Sequence, residues 1–210
     1  AYLTELPSVS FTLRDLGSRM ETWLRQHPEF TVGQERIALD MVRLEWADIE
    51  AFDAAEYPKL MQEELQALGE DPVFHLQPNL FLLDLAYPVD ELLLTMRKDE
   101  GDDEPESDIA SNVVVMEHSE STPAKSYPLP RAKKTYLAVH RQENIVYFKR
   151  LQPEAFALLR ALKEGQPLSQ AIESSVNWSG KKLERVMEQL HDWFANWSGL
   201  GWFCRPPKDT

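Results

Sequence analysis

The sequence predicts an α+β protein with a helical N-terminal domain over residues 1–98, an acidic, proline-containing linker over 99–130, and a winged-helix-like domain over 131–205 (hairpin, three helices, return strand). Three observations predict it. Apolar residues recur at three- and four-residue steps through most of the first half. Residues 99–124 hold nine acids and no base. Two β-rich runs separated by two residues then precede three helical patterns and a last apolar run.

Composition sets the frame. With 210 residues, 43% of them hydrophobic, the chain has enough apolar side chain for a real core, and its length suits two small domains. No stretch approaches the roughly 18 apolar residues that a membrane span needs. Cys204 is the sole cysteine, so neither an internal disulfide nor a cysteine metal cluster is expected, which suits a reducing cytoplasm. The chain opens on Ala1 without a signal-peptide pattern, which predicts a trimmed or disordered N-terminus rather than secretion. The net charge of −13 divides unevenly: residues 1–98 carry −10, 99–124 carry −9 and 125–210 carry +6. As a whole the chain is repelled by phosphate backbones, while its last third can attract an anionic partner.

In the first half, a fragment around Ala1–Leu6 stops at Pro7. Ser10 is placed to cap a helix carrying Leu13, Leu16, Met20, Trp23 and Leu24, which ends before Pro28. Thr31 is placed to cap a longer one with its apolar stripe on Leu39, Val42, Trp46, Ile49 and Phe52, closed by Pro58. Leu60–Leu68 predicts a short helix ended by Gly69. Val73–Ala86, apolar but broken by Pro78, reads as irregular or partly extended. Pro88 suits the first turn of a helix carrying Val89, Leu92, Leu93 and Met96.

Lys98–Asp108 is a linker by mutual repulsion of its carboxylates. Asn112–Met116 (NVVVM) predicts a short strand, and three prolines follow. Thr135–Arg141 and Asn144–Arg150 then form the hairpin. Pairing His140 with Ile145 puts Leu137, Val139, Val146 and Phe148 on a core face. The opposite face takes Tyr136, Ala138, His140, Ile145, Tyr147 and Lys149. Pro153 opens a helix ended by Gly165, Pro167 opens a short second one, and Ser179 caps a third with Leu183, Val186, Met187, Leu190 and Phe194 inward. Leu200–Cys204 is expected to return to the sheet.

Catalytic chemistry finds little support. His27, His75, His118, His140 and His191 show no metal-ligand spacing, and no glycine-rich phosphate loop is present. The acids of Asp99–Asp108 lack the alternation and central glycine of a calcium loop. No GxSxG marks a nucleophile turn. No catalytic residue, metal or cofactor is assigned, and a non-enzyme is expected.

Binding surfaces remain. If the second hairpin strand is an open edge, an extended peptide can complete its ladder. Ile145, Tyr147 and Lys149 would line that site, and Lys181, Lys182 and Arg185 of the third helix would favour an acidic peptide. The plainer reading is a solvated helix face on which Glu184 and Glu188 pair with those bases. A third reading sends the helix into a DNA major groove, since the second and third helices have helix-turn-helix order. In the long N-terminal helix, Arg43 can pair with Asp40 or Glu50 across the surface, and Trp46 is largely core; Arg43, Trp46 and Glu50 are nonetheless candidate partner contacts, Trp and Arg being favoured anchors.

RLEWADIEAFDA, Arg43–Ala54, closely resembles the signature helix of the HvfC/BufC-type proteins, formerly labelled DNA-binding and now regarded as peptide-modification chaperones. The resemblance extends to YLTELPSVSFTLRDLG, HLQPNLFLLDLAYPVDEL and VYFKRLQPEAFALLRALKEGQPLSQAI. Tyr147–Trp202 is similar in pattern to PqqD-like peptide-recognition modules. The resemblance implies a non-catalytic partner of a multinuclear non-haem iron oxidative enzyme, one that binds the leader of a cysteine-containing, ribosomally made precursor peptide. The family carries further N-terminal helices, of which only the tail is matched here. The alternative function is a DNA-binding transcriptional regulator.

Overall fold

The computed structural model describes residues 1–7, 13–61, 64–65, 67–99, 126–179 and 183–205. Ser10, the strand expected at 112–116, Lys181, Lys182 and the linker up to 125 lie outside the described residues. The molecule combines helices with small antiparallel sheets, an α+β architecture. Its first elements are α1 (Tyr2–Glu5), a 3-10 segment (Leu13–Arg19), α2 (Met20–Gln26), a 3-10 turn (Pro28–Phe30) and α3 (Glu35–Asp53). Next come β1 (His75–Leu76), β2 (Leu80–Leu85) and α4 (Val89–Asp99). The hairpin β3 (Thr135–Gln142) and β4 (Ile145–Arg150) follows, then α5 (Pro153–Lys163), α6 (Leu168–Ser179), α7 (Leu183–Gly199) and β5 (Phe203–Cys204).

The main sheet has the order β2-β3-β4, antiparallel throughout. Leu80–Leu85 is therefore a regular strand, where the sequence suggested a segment only partly extended. Its run LFLLDL is apolar on both faces because both are covered. Phe81, Leu83 and Leu85 share one face with Leu137, Val139 and Val146, against which α3 and α4 pack. Leu80, Leu82 and Ala138 lie on the other, beneath Ala155, Leu158, Leu159 and Leu162 of α5 and Trp197 of α7. Both cores thus combine side chains from residues 1–98 and 131–205, and the sheet joins the two segments.

The hairpin turn is Glu143-Asn144, with φ of 51° and 64°. Two successive left-handed residues make the primed turn whose twist suits a two-residue hairpin. Gln142 consequently pairs with Ile145, and His140 with Tyr147 rather than with Ile145. This shift of two residues keeps every side chain on its expected face. Phe203–Cys204 does not rejoin this sheet; β5 pairs with β1, and Lys59 bridges to Cys204.

α3 corrects the stripe read from the sequence. Its buried residues are Ile37, Leu39, Asp40, Leu44, Ala47, Asp48 and Ala51, while Ile49 and Phe52 are exposed and Val42 and Trp46 half-buried. Ala47 and Ala51 let the helix backbone approach the sheet, so small residues hold positions where size alone pointed to Trp46 and Phe52. The helix begins at Glu35, not beside Thr31, whose hydroxyl instead donates to the carbonyl of Pro28, and it ends at Asp53, before Pro58. Arg141 of β3 donates to the carbonyl of Phe52, a cation meeting the negative end of the helix. The helix expected from Ser10 is 3-10 until Arg19; there Gly17 lies against the Trp46 ring, 2.8 Å from where a Cβ would stand.

Candidate functional site: the two margins of the sheet

In an antiparallel ladder, alternate residues turn both backbone polar groups toward the same neighbour. With Gln142 and Ile145 closing the hairpin, Tyr147 and Lys149 bond inward, to His140 and Ala138. The amide of Leu151 donating to the carbonyl of Tyr136 at 2.9 Å continues the same parity. Val146 and Phe148 therefore direct N–H and C=O away from β3. Among the described residues no strand pairs on that side and no hydrogen bond reaches those outward groups; Val146 is fully buried, main chain included, while Phe148 is half-buried.

The β2 margin differs. By the same parity Leu80, Leu82 and Asp84 face outward there. Arg43 Nη1 donates to the Asp84 carbonyl at 3.1 Å, and Lys163 Nζ donates to that of Leu80 while its ammonium stands over the Phe81 ring. Just past the strand, Oδ2 of buried Asp40 accepts from the amides of Ala86 at 2.7 Å and Tyr87 at 3.0 Å. Charged side chains thus occupy this margin, the usual way a sheet edge is kept from pairing with another chain.

Of the expected peptide-binding residues, Ile145, Tyr147 and Lys149 are half-buried on one face of β4. The Tyr147 ring stacks on His140 with centroids 5.7 Å apart, His140 meets Trp202 edge-on at 5.1 Å, and Trp202 stacks on Trp197 of α7 at 6.3 Å. At the other end Trp178, close to the start of α7 in sequence, packs edge-on against Tyr136, the partner of Leu151. The ends of the α6–α7 region are thereby tied to the two ends of the β3–β4 ribbon. Arg185 is exposed in the first turn of α7 and has exposed Glu184 and Glu188 beside it. It lies on the order of 18 Å along the helix from Trp197, so it is not gathered with Tyr147.

The candidate partner residues of α3 divide. Arg43 serves the sheet margin, with a weaker approach of 3.7 Å to Asp40. Trp46 is half-buried and, with Gly17, Val42, Arg43 and Phe81, lines an open cavity of about 200 Å³. Glu50 is half-buried. The sequence reading missed Asp40, which spacing assigned to a surface ion pair, and Asp48, buried and bonded to Arg97 at 2.9 Å. Acids inside an amphipathic helix, each four positions from Leu44 and so on its face, were the available sign.

Arg150, the last residue of β4, is held by α4. Its Nε and Nη2 reach Oδ2 and Oδ1 of Asp90 at 2.8 and 3.1 Å, and Nη1 reaches Glu91 at 2.7 Å. The Asp90 hydrogen bonds push the guanidinium further above its ordinary range. Among the described residues, no group of three or more His, Cys, Asp or Glu is placed to hold a metal, and no helix is long and apolar enough to cross a membrane. Comparison with protein-family models and with curated proteins gives no match for this chain.

Proposed function

We propose that the chain is a non-catalytic peptide-binding partner, and that its ligand adds to the outer side of β4 as an extended strand. The observation that carries this reading is the unequal treatment of the two sheet margins: charged side chains serve β2, and among the described residues none serves Val146 or Phe148. Main-chain pairing would supply affinity, and the half-buried row Ile145, Tyr147 and Lys149 would read alternate side chains. Hairpin followed by three helices is the order of a winged-helix-like module. The resemblance to HvfC/BufC-type chaperones supplies the identity of the ligand, the leader of a cysteine-containing precursor peptide, and of the recipient, an iron-dependent oxidative enzyme. Trp46 and Glu50 would belong to the enzyme-facing side.

The DNA reading is weaker on charge. Around Arg185 the described face of α7 carries Glu184, Glu188 and Asp192, acids that phosphates would repel.

Amide exchange tests the proposal at the atoms concerned. The outward amide of Phe148, which is half-buried, exchanges fast in the free chain and slows on addition of a bound leader peptide, while those of Tyr147 and Lys149, already bonded, change little. A leader that binds tightly and leaves Phe148 unprotected sinks the strand-addition mode.

A further inference from the structure

A row of cations and aromatic rings runs along the β2 margin. Lys163 of α5 stands over the Phe81 ring at 5.0 Å. Phe81 and Trp46 wall the open cavity, and Arg43 borders it while its Nη1 donates to the Asp84 carbonyl. The Asp84 carboxylate pairs with Lys134, whose ammonium lies 5.6 Å from the centre of the Tyr136 ring. Tyr136 meets Trp178, and Arg160 covers Trp178 at 5.4 Å. All three cation–π contacts among the described residues thus lie in one row, on a chain whose net charge is −13. The acids that touch the row are engaged: Asp84 by Lys134, Glu21 across the cavity by Arg25 at 2.7 Å, and buried Asp40 by the amides of Ala86 and Tyr87.

Size decides what the cavity can take. At about 200 Å³ it exceeds the roughly 150 Å³ that holds a benzene ring and falls short of the roughly 300 Å³ at which pockets for whole small molecules begin. One aromatic or large aliphatic side chain fills it. Gly17 borders it as well, and a Cβ there would stand 2.8 Å from the indole, so a side chain at 17 would displace the ring that forms the wall. We propose that this margin docks an acidic segment of a partner polypeptide, which inserts one apolar side chain beside Trp46 and Phe81 and sets its carboxylates against Arg43, Lys163 and Arg160.

Arg43 and Lys163 take outward carbonyls of β2, so recognition here falls to side chains and not to the ladder. A phosphate backbone would meet the same cations, but the −10 carried by residues 1–98 repels it beyond the row. A short acidic segment with an apolar anchor presents its charge only at the row. The inference rests on the partner-facing assignment of Trp46 and is independent of strand addition at β4.

Titration of the full chain at about 0.15 M salt with a short synthetic peptide of glutamates around one phenylalanine, followed by NMR, reads both parts of the contact. The Trp46 indole N–H and the Gly17 amide are expected to shift, and the Phe148 amide on β4 to stay. Replacing the peptide's phenylalanine by alanine should weaken binding about tenfold, and replacing its glutamates by glutamine should weaken it and remove its salt dependence. Lys163→Gln, at the surface, should weaken binding about threefold in a folded chain, and Gly17→Ala about tenfold. A peptide that leaves Trp46 unshifted, or binds equally well without its phenylalanine or its charges, overturns the proposal, as does an oligothymidylate that binds the same residues more tightly. A leader that leaves Phe148 unprotected while the glutamate peptide still moves Trp46 sinks strand addition and keeps this docking face.

Discussion

At the β2 margin the carbonyls of Leu80 and Asp84 and the amide of Ala86 each meet a charged side chain, whereas the outward groups of Val146 and Phe148 on β4 meet none among the described residues. Both strands flank the same β3 and share its cores, so burial does not explain the difference. An exposed edge is a liability for aggregation unless it is used. The contrast teaches that this sheet closes one side with long side chains from α3 and α5 and, among the described residues, gives the outward main-chain groups of the other no such partner.

The largest expected effect comes from the closed side. Asp40→Ala removes the acceptor of two amides, and at about 1–3 kcal/mol for each stranded group we expect a loss of about 3 kcal/mol in chemical denaturation. Asp40→Asn keeps one oxygen and should lose about half as much. A loss under about 1 kcal/mol would mean that water replaces the carboxylate and that this margin is less closed than its geometry implies. Ile145→Asp tests the open side. It places a charge on the face that a fourth strand would share, and should weaken leader binding at least about tenfold, roughly 1.4 kcal/mol, while stability changes by less than about 1 kcal/mol. Unchanged affinity removes β4 as the binding edge.

How far the sequence discloses this contrast differs between its halves. The hairpin was legible because alternation and a two-residue spacing are local, and its faces survived a register shift of two because parity was preserved. The partner strand was not: LFLLDL gives no alternation when both faces are covered, and its pairing with β3 joins residues fifty to sixty positions apart. Nor was the role of Arg43, which follows from a contact with the Asp84 carbonyl 41 residues away rather than from its helical neighbours. The return strand was seen in the right place and assigned the wrong neighbour, since β1 is two residues long and carries no periodicity at all.

A medium effect is expected from Arg43→Ala, which removes one charge-assisted bond to a half-exposed strand edge and should cost about 1 kcal/mol. Trp46 fluorescence should follow, because both side chains line the same cavity. Preserved stability would assign the guanidinium to a partner rather than to the sheet.

Lys163→Ala should have the smallest effect alone. Its side chain lies at the surface, where losing one hydrogen bond to the Leu80 carbonyl lets water in, so a change within about 0.5 kcal/mol is expected. The informative case is the double variant with Arg43→Ala. The two residues serve carbonyls four positions apart on the same margin, so removing both leaves β2 with the outward pattern that β4 has already. If charged side chains are what keeps β2 from pairing, sedimentation should show concentration-dependent association in the double variant and little in either single one. A double variant that stays monomeric while Ile145→Asp still abolishes leader capture would show that β4 is selected by its side chains, and that an open main chain is necessary but not sufficient.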